Sequence, residues 1–124
     1  VNTWRLLVVE DEPDGQEVMR DILDFYDIPA DVVSTAEEAL KRLTNTHYDG
    51  MLIDLALPGM DGFSLLRKLR TDARFASLPC IAYTAFHNSV VRKEAIEAGF
   101  NAYFPKPLDD HALVRELKRL IQKE

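Results

Sequence analysis

The sequence predicts an α/β fold in which a single parallel sheet is doubly wound between helical layers. Two observations carry the prediction. Short apolar runs alternate with longer amphipathic stretches, five of each. The short runs are also apolar at consecutive positions, as strands covered on both faces must be. Right-handed crossovers then favour an open sheet, since a closed barrel needs eight such units and about twice this length.

Leu6-Leu7-Val8-Val9 is the first strand, stopped by Glu10-Asp11-Glu12. Pro13 suits a first helical turn, and Val18, Ile22, Leu23 and Tyr26 follow at helical spacing up to Asp27. Residues 30–34 read as a second strand, and Ala36, Ala39, Leu40 and Leu43 line a second helix. Met51-Leu52-Ile53 is the third strand, stopped by Asp54; Pro58-Gly59-Met60-Asp61-Gly62 is turn chemistry before Phe63, Leu66, Leu69 and Arg70 on a helix. Residues 79–84 form the fourth strand, with Val90, Val91, Ala95 and Ile96 marking the next helix up to Gly99. Residues 102–104 are a brief fifth strand, and Leu113, Leu117, Leu120 and Ile121 stripe the closing helix.

The 124 residues fit one domain, 1–124, with no repeat or linker, and 47% hydrophobic content is far from a disordered composition. Fifteen basic against 21 acidic side chains give a net charge of −6, which argues against direct nucleic-acid or anionic-membrane binding. No apolar run approaches the roughly 18 residues of a membrane span. Val1-Asn2-Thr3-Trp4-Arg5 does not read as a leader, and Cys80, the sole cysteine, excludes an internal disulfide and a thiolate metal cluster. The expectation is a cytoplasmic domain, and the missing initiator methionine suggests one excised from a longer chain.

Open α/β sheets bind ligands beyond the carboxyl ends of their strands. Here those ends carry Glu10 and Asp11, Asp54, Thr84 and, after the fifth strand, Lys106. Each has an ordinary reading alone: a helix-start acid, a turn aspartate, a β-branched strand residue, a solvated lysine. Turns and caps do not require their joint placement on four strands. Three adjacent carboxylates repel unless a hard cation joins them, and an all-oxygen donor set suits Mg²⁺. Thr84 and Lys106 could then hold phosphoryl oxygens while a carboxylate acts as nucleophile.

Four motifs, in order, closely resemble the receiver domain of two-component response regulators. They are Leu7-Val8-Val9-Glu10-Asp11-Glu12-Pro13, the run from Leu52-Ile53-Asp54 through Pro58-Gly59-Met60-Asp61-Gly62, Ile81-Ala82-Tyr83-Thr84-Ala85 and Tyr103-Phe104-Pro105-Lys106-Pro107-Leu108. The resemblance implies a flavodoxin-like sheet of order 2-1-3-4-5 with five helices on both faces. It implies that Asp54 is the phosphoacceptor, with phosphohistidine of a histidine kinase or phosphotransfer protein as donor. Asp11, Asp54 and the backbone carbonyl of Ala56 would ligate Mg²⁺, and Glu10 would act through a metal-bound water. Thr84 and Lys106 would bind phosphoryl oxygens, Thr84 and Tyr103 would form the switch, and the Lys106-Pro107 bond would be cis. Output to an attached domain or target protein would leave by the face of helix four, strand five and helix five, with a phosphorylation-linked homodimer as one form.

Departures from the family pattern are modest. Glu10 stands where aspartate is commoner, and Leu57 replaces a common methionine. Ala56 and Phe86 offer nothing to orient an attacking water, so slow autodephosphorylation is expected. Asn101 and Ala102 occupy positions where the winged-helix DNA-binding subfamily carries two acids of its dimer, which argues against that dimer. Pro105 cannot donate a ladder hydrogen bond and fits the end of an edge strand. The chain is thus expected to catalyse its own phosphoryl transfer as a signalling domain rather than act as a metabolic enzyme. The alternative is a phosphorylation-independent pseudo-receiver that binds protein, although such modules generally lose the acceptor, acidic pair or lysine.

Other residues are read more plainly. His47, His87 and His111 are expected at the surface, and Cys80 in the core. Trp4 would pack at the amino edge of the first strand. Arg67, Lys68, Arg70 and Arg74 read as a solvated helix face, while Lys118, Arg119 and Lys123 favour the carboxyl end of the last helix.

Overall fold

The computed structural model describes residues 4–122, so Val1, Asn2, Thr3, Lys123 and Glu124 lie outside the described residues. The elements alternate as read: β1 (Leu6–Val9), α1 (Pro13–Phe25), β2 (Ala30–Val33), α2 (Ala36–Asn45), β3 (Gly50–Asp54), α3 (Gly62–Arg70), β4 (Cys80–Thr84), α4 (Ser89–Ala98), β5 (Ala102–Pro105) and α5 (Asp110–Ile121). All four strand pairings are parallel, and the sheet order is β2-β1-β3-β4-β5. Burial follows that order. Every residue of central β1, β3 and β4 is buried, whereas edge strands β2 and β5 are partly exposed.

Side-chain alternation along the strands divides the core in two. Leu7, Val9, Met51, Ile53 and Ala82 pack with Ala36, Ala39 and Leu43 of α2, Leu65, Leu66 and Leu69 of α3, and Ala95 of α4. On the other face, Leu6, Val8, Leu52, Ile81 and Tyr83 meet Met19 and Leu23 of α1 and Leu113, Val114 and Leu117 of α5. Trp4 joins this second cluster, and Cys80 lies in the first. Burial pushes the Cys80 thiol up to about 11.

Local chemistry fixes the helix starts. Thr35, Asp61, Asn88 and Asp109 each accept a backbone N–H of their own helix's first turn. Ser34 N–H in turn donates to Glu38, completing a reciprocal cap at α2. Pro13 opens α1 with φ already helical.

Three sequence readings are corrected. Helix α1 ends at Phe25, because Asp27 takes a left-handed φ of 57°, and Val18 faces outward while Met19 takes the buried place. In α4, Ala95 alone is buried; Val90 is 64% and Ile96 48% exposed. Arg70 is no solvated side chain. Its guanidinium donates to the carbonyls of Phe75, Leu78 and Gly99 and to Asn101 Oδ1.

The end of β5 has a local irregularity. Asn101 N–H donates to Cys80 O, and the register Thr84↔Pro105 puts Pro105 on the same β4-facing row. Proline has no N–H to offer, and the Thr84 carbonyl is taken instead by the Lys106 amide at 2.9 Å.

Candidate functional site

Parallel strands bring their carboxyl ends to one edge, and there the structure gathers the acidic residues. Glu10 and Asp11 follow β1, and Asp54 is the last residue of β3. Each offers a carboxylate oxygen within 4.8 Å of the others, a hard-donor set that could hold a divalent metal. Lys106, just beyond β5, reaches into the cluster. Its Nζ lies 3.0 Å from Asp54 Oδ2 and 3.0 Å from Glu10 Oε1.

Each carboxylate is further held. Asp54 Oδ1 accepts the Ala56 amide at 2.9 Å. Glu10, with none of its surface exposed, accepts the Tyr83 hydroxyl and Lys106 on Oε1 and the Glu12 amide on Oε2. Asp11 is half-buried beside them, and Ala56 is exposed. Thr84 is buried one position beyond Tyr83, the register partner of Asp54. Its hydroxyl accepts the Phe86 amide at 3.0 Å and makes no hydrogen bond to Asp54 or Lys106 among the described residues.

The charges leave their mark on nearby protons. Burial works to lower the Lys106 pKa, but its hydrogen bonds and attraction to Glu10 and Asp54 outweigh burial and raise it. Burial raises the Tyr83 pKa well above its usual value, and the charges of Glu10 and Asp54 add to the effect. The Tyr83 ring also lies under the Lys106 ammonium, 5.0 Å from its centroid.

Tyr103 is buried against the first core cluster, with its hydroxyl 2.9 Å from His87 Nδ1. The Lys106-Pro107 peptide bond is cis. His47, His87 and His111 are all exposed. A cavity of about 610 Å³ lined by Leu40, Lys68, Phe75 and neighbours contains none of the strand-end residues.

Sequence reasoning left Tyr83, His87 and Gly15 without a role. Tyr83 was open to discovery, because alternation puts it on the same side of β4 as Ile81, facing α1 and α5. The His87–Tyr103 contact joins two segments with no shared pattern and left no signal in the sequence.

Residues 6–118 match the response regulator receiver domain family. The chain is 37% identical over 119 residues to the two-component response regulator PhoP of Pseudomonas aeruginosa, covering 96% of this chain and 52% of that protein. It is 36% identical over 110 residues to an uncharacterized 14.6 kDa protein of Leptolyngbya boryana, covering 89% of this chain and 84% of that one. It spans about half the length of several curated relatives that it matches. Among solved structures, it resembles the receiver domain of a sensor histidine kinase from Pseudomonas aeruginosa PAO1 that has a magnesium ion coordinated in its active site cleft. That match has a TM-score of 0.88 and 31% identity over 98% of this chain and 100% of that one. The doubly wound order and the acidic edge therefore have one explanation in common: the chain belongs to the response regulator receiver domains of two-component systems.

Proposed function

We propose that residues 1–124 act as a single receiver domain in the cytoplasm, a Mg²⁺-dependent switch phosphorylated on Asp54 by the phosphohistidine of a histidine kinase or phosphotransfer protein. The observation that carries this reading is the Lys106 ammonium held 3.0 Å from Asp54 Oδ2 inside a cluster of three carboxylates. An Asp54 oxygen attacks phosphorus as the P–N bond breaks, and the leaving imidazole nitrogen keeps the electron pair and takes a proton from solvent. Asp11, Asp54 and the Ala56 carbonyl would hold the metal, and Glu10 would contact it through water. When bound, Mg²⁺ supplies charge stabilisation to the transferring phosphoryl oxygens.

Lys106 already sits beside the acceptor, so it passes from Asp54 to a phosphoryl oxygen with little movement. Thr84 exchanges the Phe86 amide for a second phosphoryl oxygen. Phosphorylation adds roughly 1.5 to 2 negative charges. That charge biases the β4–α4 loop and Tyr103, and the face of α4, β5 and α5 carries the output. Exposed Val90 and Ile96 on α4, with Phe86 72% exposed just before it, supply apolar contact area for an output domain, target protein or second phosphorylated copy. Ala56 and Phe86 carry no group to orient water, which supports slow autodephosphorylation.

Incubation with Mg²⁺ and acetyl phosphate is expected to add the mass of one phosphoryl group, lost without Mg²⁺ and in Asp54→Ala. A gain that survives Asp54→Ala overturns the assignment. If folded protein gains no mass and binds no beryllium fluoride, the chain is instead a phosphorylation-independent binding module.

A further inference from the structure

Gly15 stands in the first turn of α1 without a left-handed φ, so its backbone conformation does not call for glycine. Glycine also weakens a helix relative to alanine. What it leaves is space. A Cβ at position 15 would lie 2.6 Å from Glu10 Cδ, 2.7 Å from Oε1 and 2.9 Å from Oε2. The Glu10 carboxylate fills that volume, where Oε1 accepts the Tyr83 hydroxyl at 3.0 Å and Lys106 Nζ at 3.0 Å while Oε2 accepts the Glu12 amide at 3.1 Å.

We propose that Gly15 and Tyr83 are positioning residues that seat Glu10 and, through it, Lys106 at the phosphoryl-transfer site. Gly15 leaves room for the longer glutamate arm to lie against the first turn of α1. Tyr83 turns one oxygen toward the lysine. A glutamate at position 10 and a glycine at position 15 therefore form a matched pair. The roles of metal and phosphoryl group rest on the function proposed above; the pairing itself rests on packing alone.

Two measurements on the wild type, Gly15→Ala, Glu10→Asp, the double variant and Tyr83→Phe test this. The first is Tm in EDTA. Gly15→Ala is expected to lower Tm in the wild-type background, against the helix preference for alanine, and to leave it unchanged or raise it in the Glu10→Asp background, where a shorter carboxylate can turn aside. The second is Mg²⁺ affinity by calorimetry. Loss of a partner that orients a metal-site carboxylate weakens binding by a factor of about ten or more, expected for both Gly15→Ala and Tyr83→Phe. Glu10→Asp should restore affinity to Gly15→Ala. Equal Tm shifts in both backgrounds overturn the pairing. Unchanged Mg²⁺ affinity in Gly15→Ala and Tyr83→Phe overturns the positioning role, whatever Tm does. A wild-type chain that binds no Mg²⁺ overturns the phosphoacceptor reading, while the metal-free Tm comparison still decides the pairing.

Discussion

Arg70 makes five hydrogen bonds from one guanidinium and ties the end of α3 to three backbone carbonyls and to Asn101. Asn101 Oδ1 in turn accepts the Cys80 amide at the start of β4. Asn101, one of two residues that replace the acids of the winged-helix dimer, is thus taken up by an internal contact. Arg70→Ala is expected to lower unfolding stability by roughly 2 to 3 kcal/mol in urea titrations, because several partly buried carbonyls lose their donor. Arg70→Lys should recover a small part of this, since an ammonium cannot reproduce the fork. Cys80, buried and with its thiol pushed up to about 11, should resist alkylation in the folded protein and react once urea unfolds it. At this scale the strand-end residues were legible because chain punctuation announces them. Arg70 was not, because its partners Gly99 and Asn101 lie 29 and 31 positions away, and its own neighbours read as an ordinary basic face.

Two glycines at element boundaries differ from Gly15 in what surrounds them. A Cβ at Gly62 would meet Asp54 O at 2.7 Å and Leu55 Cα at 2.9 Å, backbone atoms that cannot step aside. Gly62→Ala should therefore cost about 2 kcal/mol or more in denaturant unfolding, with no rescue from any side-chain change at position 10. Gly99 closes α4 with φ 116° and is required by conformation. Every strand and helix was legible from apolar periodicity, as the order β2-β1-β3-β4-β5 was from the family resemblance. The facing of α4 was not. Val91 packs against the first core cluster beside Ala95, whereas Val90 and Ile96 share the helical spacing but face outward, and periodicity alone does not say which apolar positions meet the core.

Across the whole molecule, the site links proton binding to stability. Lys106 and Tyr83 both have raised pKa values in the folded chain. Each therefore binds its proton more tightly folded than unfolded, so its contribution is complete below the unfolded pKa values, about 10 for both, and is lost as pH rises through the folded values. Tm should fall through this alkaline range, and Tyr83→Phe should flatten part of the fall. An equally steep fall in that variant would show that other groups dominate.

The proline that ends β5 has one more consequence. Because Pro105 leaves the Thr84 carbonyl to the Lys106 amide, a backbone strut joins the two residues proposed to grip the phosphoryl group. The strut ties their backbones, leaving each side chain free to turn about its own bonds. A shift of the main chain at the end of β4 should therefore be carried to the segment that bears Lys106.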